Sequence, residues 1–501
     1  MRTNAAQQIR ETAAAGLPGI DLVVHEASAI EGDGILYAIV EAAGETRLAV
    51  AGPAGSAAGF DPERTVRAGR RVLSLCPLTH TNAETLRGVL TFTRPSPLGR
   101  KEITVGLGDR LGLAGPGHIA AIRGYRAWPV LAQQSVRELA LTNRTFTEVL
   151  DASTWAVFRE GFREPWGADG DHLKSIDQVE AALSAGLTMI TADVSEHLHG
   201  QFAARSGAEI DAAWAVLDRV EREELESRYL STSFRLSARE AVRFTPRELR
   251  RTVLVFRDAA AQAARLYRAG VAARGEAGFD FELSIDETEA PTAPQAHLFM
   301  ALEARRQGVA LLSLAPRFAG EFQKAIDYIG TVGEFERSFA AHAAIADALG
   351  YRISVHSGSD KFSVFPSIGR LSNGKFHIKT AGTSWLEALR VTAAADAGLF
   401  RELYAVALEG YPNARALYSV TPDLAALPET KSIADRDAVR LLDDVHARRV
   451  LHITYGETLA VPELKRRLFD LLGRRGPEYS RALQEHIGRH LSLLGVGPRL
   501  A

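Results

Sequence analysis

The chain carries one cysteine, Cys76, in 501 residues. A single thiol excludes a disulfide framework and any chemistry that needs paired thiols, and it fits a reducing cytoplasm. No segment reaches the roughly 18 uninterrupted apolar residues of a membrane span. The stretch Met1 to Arg10 lacks the apolar core of a signal peptide. Charge of one sign is also missing. With 59 Lys and Arg against 61 Asp and Glu, the formal net charge is −2. No global field then draws nucleic acid or an anionic membrane, and only a local basic pocket stays open. There is no Gly-x-x-x-x-Gly-Lys-Ser/Thr phosphate loop, no dinucleotide-spaced glycine motif and no His-Glu-x-x-His. Internal repeats and low-complexity segments are lacking too.

Lysine is scarce as well: 51 of the 59 basic residues are Arg and 8 are Lys. A chain that uses Arg for generic positive charge reserves Lys for work a compact, titratable ammonium does better. Lys174, Lys324, Lys361 and Lys379 all fall inside polar blocks.

What is present reads as a large α/β protein. Residues 1–104 form an α+β accessory domain. Its short β runs are Gly34 to Glu41, Thr46 to Ala51 and Gly88 to Thr93, with Cys76 to Asn82 as a polar loop. Residues 105–501 alternate strand and helix. Expected strands are Val105 to Leu113, Trp166 to Leu173, Leu187 to Asp193, Phe279 to Asp286, Val309 to Leu314, Tyr351 to His356, Lys375 to Lys379 and Arg449 to Thr454. Eight strands separated by amphipathic helices predict a (β/α)8 TIM-like barrel, with a doubly wound open sheet as the alternative. Residues 196–275 read as a helical insertion with a solvated charged face.

In such a barrel the functional side chains sit at the C-terminal ends of the strands, and the ends here are polar. The second expected strand runs into Asp169-Gly-Asp171-His172-Leu-Lys174, groups that are costly unless paired or liganded. The third ends at Asp193, near Glu196, His197 and His199. The fourth carries Glu282, Ser284, Asp286 and Glu287, with a metal ligand or a base among them. The fifth offers Arg317, a bidentate carboxylate binder. The sixth runs into His356-Ser357-Gly358-Ser359-Asp360-Lys361, too many convergent polar groups for an ordinary loop. The seventh presents His377, Lys379 and Thr380, and the eighth His452. Each block has a plainer alternative as a charged loop or a surface ion pair.

Taken in order, these blocks resemble the tagaturonate epimerase family. The resemblance rests on Gly106 to His118, Gly170 to Lys174, Asp286 to Glu289, Leu314 to Phe318, Gly320 to Lys324, Val355 to Phe362, Lys379 to Trp385 and His452 to Gly456. Ala114 stands where a Thr is expected, and Ala325 where Gly is expected. The resemblance implies an isomerase that interconverts D-tagaturonate and D-fructuronate with a divalent metal cation (Zn, Mn, Ni or Co), and a side activity on tagatose and fructose is compatible with it.

The chemistry of the blocks assigns His172, His356 and His377 to the metal. It assigns Asp171, Glu287 and Lys361 to catalysis, and Lys174, Arg317, Ser357, Ser359, Asp360, Lys379 and Thr380 to substrate, with Arg317, Lys361 or Lys379 holding the carboxylate. The expected partner is a small-molecule sugar acid, with neither nucleic acid nor membrane, and a homo-oligomer is compatible with this. Another metal-dependent sugar isomerase and a non-catalytic sugar-acid binding protein are the competing readings.

Overall fold

The computed structural model of the protein describes residues 2–17, 19, 21–236 and 241–499. Met1, Pro18, Ile20, residues 237–240 of the expected insertion, Leu500 and Ala501 lie outside the described residues.

The N-terminal part is a six-stranded antiparallel sheet with the helix Arg2–Gly16 on one face. Strands Ile35–Ala42 and Glu45–Gly52 are joined through Ala43 and Gly44, both at positive φ (52° and 81°), as a tight hairpin requires. Alternation along these strands serves two cores. Leu36, Ala38 and Val40 pack under the helix, whereas Tyr37, Ile39, Leu48 and Val50 join Trp155 and Phe158 of the following part. The expected strand Gly88 to Thr93 is instead the end of a helix, His80–Val89, followed by a 3-10 turn. The Thr79 hydroxyl accepts the Asn82 N–H and starts that helix, overriding the β-branched residues behind it.

Eight parallel strands then close a barrel in strict chain order. They are β1 (Ile103–Gly106), β2 (Trp128–Ser135), β3 (Gly167–Leu173), β4 (Met189–Asp193), β5 (Asp280–Ile285), β6 (Ser313–Pro316), β7 (Arg352–Val355) and β8 (Phe376–Lys379). Seven of the expected strands overlap members of this set. The eighth, Arg449 to Thr454, does not: it lies in the helix Val445–Ile453, capped by Asp444. Residues 447–453 are all buried, the polar Arg448, Arg449 and His452 included, and the β-branched Val450, Ile453 and Thr454 make the segment look like a strand. The member that takes its place is β2. Pro129 near its start and Gln133-Gln134-Ser135 at its end disguise it.

Between β4 and β5 stand the helices Gly207–Val216 and Arg219–Leu230, a short hairpin and the 29-residue helix Pro246–Arg274. This last helix packs on Ile176–Ser184 and Pro294–Arg306 and so belongs to the barrel's outer ring. Beyond β8 the chain is helical and builds a second core around Leu386, Phe400, Tyr404, Leu451 and Leu468. The helix Gly476–Leu493 comes back to the helix Gly115–Ile122 that follows β1. There Gly117 allows a close crossing, because a Cβ would stand 2.7 Å from Leu483 Cβ. Among the described residues no helix is long and apolar enough to cross a membrane.

Candidate active site

A cavity of about 680 Å³ opens at the C-terminal ends of the strands. On its floor Lys379, the last residue of β8, donates to Asp169 Oδ2 at 3.0 Å, Asp171 Oδ1 at 2.6 Å and Thr191 Oγ1 at 2.6 Å. Glu282 Oε1 lies 3.0 Å from the same ammonium. Burial alone would lower the Lys379 pKa, but the three carboxylates raise it well above the usual lysine range. The same ammonium outweighs burial at Asp171 and holds it well below the usual carboxylate range. At Asp169 burial wins and pushes the carboxyl up to about 6.

Above this floor His172 and His356 stand edge to face, with ring centres 4.9 Å apart. His356 Nε2 donates to Glu282 Oε1 at 2.8 Å. Its Nδ1 forms an ion pair with Asp286 Oδ1 at 3.3 Å and makes no well-aligned hydrogen bond. His172 has Asp193 Oδ2 at 3.5 Å from Nδ1 and Asp171 Oδ1 at 3.7 Å from Nε2. Burial lowers the His356 pKa, but Asp286 and Glu282 bring it up to about 10.

Backbone geometry explains how neighbours in sequence reach one site. His172 has φ 54° and Ser357 φ 51°. Such left-handed non-glycine residues cost energy and collect at functional sites. The register of β3 against β4 shifts at this point, between Ile190 and Ala192. A shift of this kind re-aims a side chain and lets Asp171 and His172 both line the cavity. Ala325, where the family resemblance expects Gly, sits at φ 69°, the conformation that favours glycine. The loop after β5 is held from behind: Thr292 N–H donates to Arg317 O at 2.8 Å, and Arg317 N–H to Thr292 Oγ1 at 3.0 Å.

Of the residues given a role from sequence, Asp171, His172, Glu287, Arg317, His356, Ser357, Ser359 and Lys379 line this cavity, as do Asp286, Lys324 and His452 of the same polar blocks. The remaining assigned residues are placed elsewhere. His377 is fully buried on β8 beside Thr104, with Nδ1 2.9 Å from Thr104 Oγ1, and burial lowers its pKa to about 3. It shares a strand face with Lys379 but sits two residues earlier on β8 and does not line the cavity. Lys361 turns away from the cavity and donates to the carbonyls of Gln323, Ile326 and Ser359. Thr380 is buried and donates to Gly106 O. Lys174 pairs with Glu196 at 3.0 Å.

Asp360 forms a separate knot with His486 and His490, whose ligand atoms all lie within 4.8 Å of one another. That spacing suits a metal, but the partners do not. Arg448 Nη2 lies 2.7 Å from Asp360 Oδ2, and His490 Nε2 already accepts the Asp360 N–H at 3.0 Å. The knot is therefore an ion-pair anchor for the last helix.

Sequence reasoning missed Arg110, Gln133 and Glu138 as cavity residues. Two of them depend on the unrecognised β2, whose polar Gln-Gln-Ser end was the available signal.

Fold and site define a TIM-like barrel enzyme with a charged mouth at the C-terminal ends of its strands. The tagaturonate epimerase family model matches residues 25–494. The tagaturonate/fructuronate epimerase of Thermotoga maritima is 40% identical over 420 residues, 84% of this chain and 86% of that protein. Crystal structures of fructuronate-tagaturonate epimerase from Cohnella laeviribosi, native and glycerol-bound, superpose with TM-score 0.92 at 41% identity, covering 99% of this chain and 100% of theirs. The chain belongs to the tagaturonate epimerase family.

Proposed function

We propose that the protein interconverts D-tagaturonate and D-fructuronate, with a divalent cation and by retro-aldol cleavage and re-addition. The observation that carries the substrate assignment is the likeness to fructuronate-tagaturonate epimerase over 99% of the chain.

The donor set supports a cation. Asp169, Asp171, Asp193, Glu282 and Asp286 surround one lysine and two imidazoles, and His356 Nδ1 is buried without a hydrogen-bond partner. Two imidazoles with carboxylates suit a divalent ion. His172, His356 and Asp286 would hold it, with Asp193 beside His172. Such an ion acts as a Lewis acid toward a ketone oxygen.

The two uronates differ at C4, β to the C2 ketone, so the C4–H is not the acidic one. In the proposed route the C4 hydroxyl loses its proton and its oxygen becomes the aldehyde oxygen. The C3–C4 bond breaks, its electron pair moving toward C2 and the ketone oxygen. The aldehyde turns over, C3 re-adds to its opposite face, and the C4 oxygen takes the proton back. Both Asp171 oxygens are occupied, one by Lys379 at 2.6 Å and one by Gln133 at 2.9 Å. Asp171 therefore orients, and Glu287 at the cavity rim is the group that carries the proton. Lys379 fixes the floor carboxylates so that the imidazoles keep one geometry.

Turnover in D2O tests the route: the product keeps its original hydrogen at C4, and deuterium at C4 would sink it. His356→Ala is expected to lose metal and activity together while the fold, read by circular dichroism, stays intact. Full activity in that variant refutes the cation site.

A further inference from the structure

Beside its carboxylates and imidazoles, the cavity is lined by the basic side chains Arg110, Arg137, Lys324 and His452, with Glu138 among them as counter-charge. Glu138 is committed: its Oε1 takes Arg110 Nη2 at 2.8 Å and Nε at 2.9 Å. Arg110 donates further to His452 O at 2.8 Å. Arg137 donates to Leu417 O and lies over the Tyr418 ring at 4.6 Å. Among the described residues Lys324 donates only to Ser357 Oγ, at 2.9 Å. Among the described residues neither Arg137 nor Lys324 has a carboxylate within ion-pair distance. Burial lowers the Lys324 pKa, and Arg137 and Arg110 add to this against Glu138 and Asp171.

The other cations proposed for a sugar carboxylate are engaged or displaced. Lys379 is held by three carboxylates. Lys361 is spent on three carbonyls outside the cavity. Arg317 donates to Thr288 O.

We propose that Lys324, with Arg137 beside it, seats the carboxylate of the sugar acid and sets the preference for acids over neutral ketoses. This rests on the sugar-acid reading above. Ser357 follows His356 directly, so the seat touches the residue next to the proposed cation ligand. A substrate placed there is held by its carboxylate at Lys324 and presents its ketone toward His356. A neutral ketose lacks the first contact and leaves the surplus charge unanswered.

Equilibrium dialysis with D-tagaturonate and with D-tagatose, which has a hydroxymethyl group in place of the carboxylate, reads this seat whatever the epimeric state of the ligand. The wild type is expected to prefer the acid. In Lys324→Met the ratio of affinities, acid over neutral sugar, falls by about tenfold or more, the scale of a lost charge-assisted hydrogen bond. Lys324→Arg, which keeps the charge, preserves most of the ratio. Because the readout is a ratio, a general loosening of the fold does not imitate it. A ratio in Lys324→Met equal to that of the wild type overturns the proposal, and so does a wild type with no preference for the acid. Turnover is read separately. A wild type that prefers tagaturonate but does not epimerise it fails the functional reading and leaves the carboxylate seat standing.

Discussion

Lys361 shows how a residue can be singled out correctly and given the wrong task. In a chain with 8 lysines against 51 arginines, a lysine inside a polar block stands out, and Lys379 and Lys324 do face the cavity. Lys361 belongs to the same pattern, but its ammonium is buried among the carbonyls of Gln323, Ile326 and Ser359 and braces the loop. Sequence shows that a charged group is present and needs partners; it does not show which way the side chain points after a left-handed residue such as Asp360 at φ 62°. The distinction is measurable. Lys361→Met leaves three buried carbonyls short of a donor and is expected to lower stability by about 2–4 kcal/mol in urea unfolding. The refolded fraction should keep turnover far better than His356→Ala does.

Elements were legible where local signals agreed with their tertiary role. The strands ending at Asp193, Ile285 and Val355 are short β-rich runs bounded by turn residues, and each was expected within a few residues of its place. The exchange of β2 for the helix Val445–Ile453 came from two segments whose composition misleads. One is a strand with a proline and a polar end, the other a helix buried on every side.

The helix Gly476–Leu493 is held by the Asp360 knot, and that contact depends on pH. Asp360 takes His486 Nε2 at 2.5 Å and Arg448 at 2.7 Å, while Glu387 Oε1 stands 3.5 Å from His486 Nδ1 and His490 packs alongside. Burial lowers the His486 pKa and Arg448 adds to this, but Asp360 and Glu387 raise it above the usual imidazole value. A raised folded pKa contributes stability that is complete below the unfolded value of about 6.5 and is lost as pH rises through the folded value. Melting temperature should therefore fall from near neutrality into the alkaline range. In His486→Gln that slope should flatten, with a lower plateau on the acid side. A wild-type slope unchanged in the variant would remove His486 from the account.

At the scale of the molecule, the N-terminal sheet is joined to the barrel by defined polar contacts as well as by apolar packing. Asp280, the first residue of β5, accepts the N–H groups of Leu98 at 2.8 Å and Gly99 at 3.1 Å and so fixes the connecting segment to the base of the barrel. Farther out, Asp151 takes Arg87 Nη1 at 2.8 Å and His80 Nδ1 at 2.9 Å, next to the Trp155 and Phe158 cluster. Asp151→Ala leaves Arg87 largely buried without its partner and should weaken the junction by about 3 kcal/mol. Limited proteolysis should then cut first between the sheet and β1, and calorimetry should show the single melting transition broaden or split. The docking of the sheet on the barrel was not legible in the sequence, because Asp151 and Asp280 look like ordinary acidic residues there.

The crossing at Gly117 bears on how the protein is made. The helix after β1 leaves the ribosome early, with its glycine face bare. The surface that covers it, around Leu483, is synthesised only near the end, together with the Tyr125–Pro498 bridge. Until then a nascent chain can form all eight strands and still leave the first helix uncovered. Completion of the fold therefore waits on a contact between segments far apart in the chain, a kind of closure that slows folding. The growing polypeptide keeps that glycine face uncovered until the segment around Leu483 has been made.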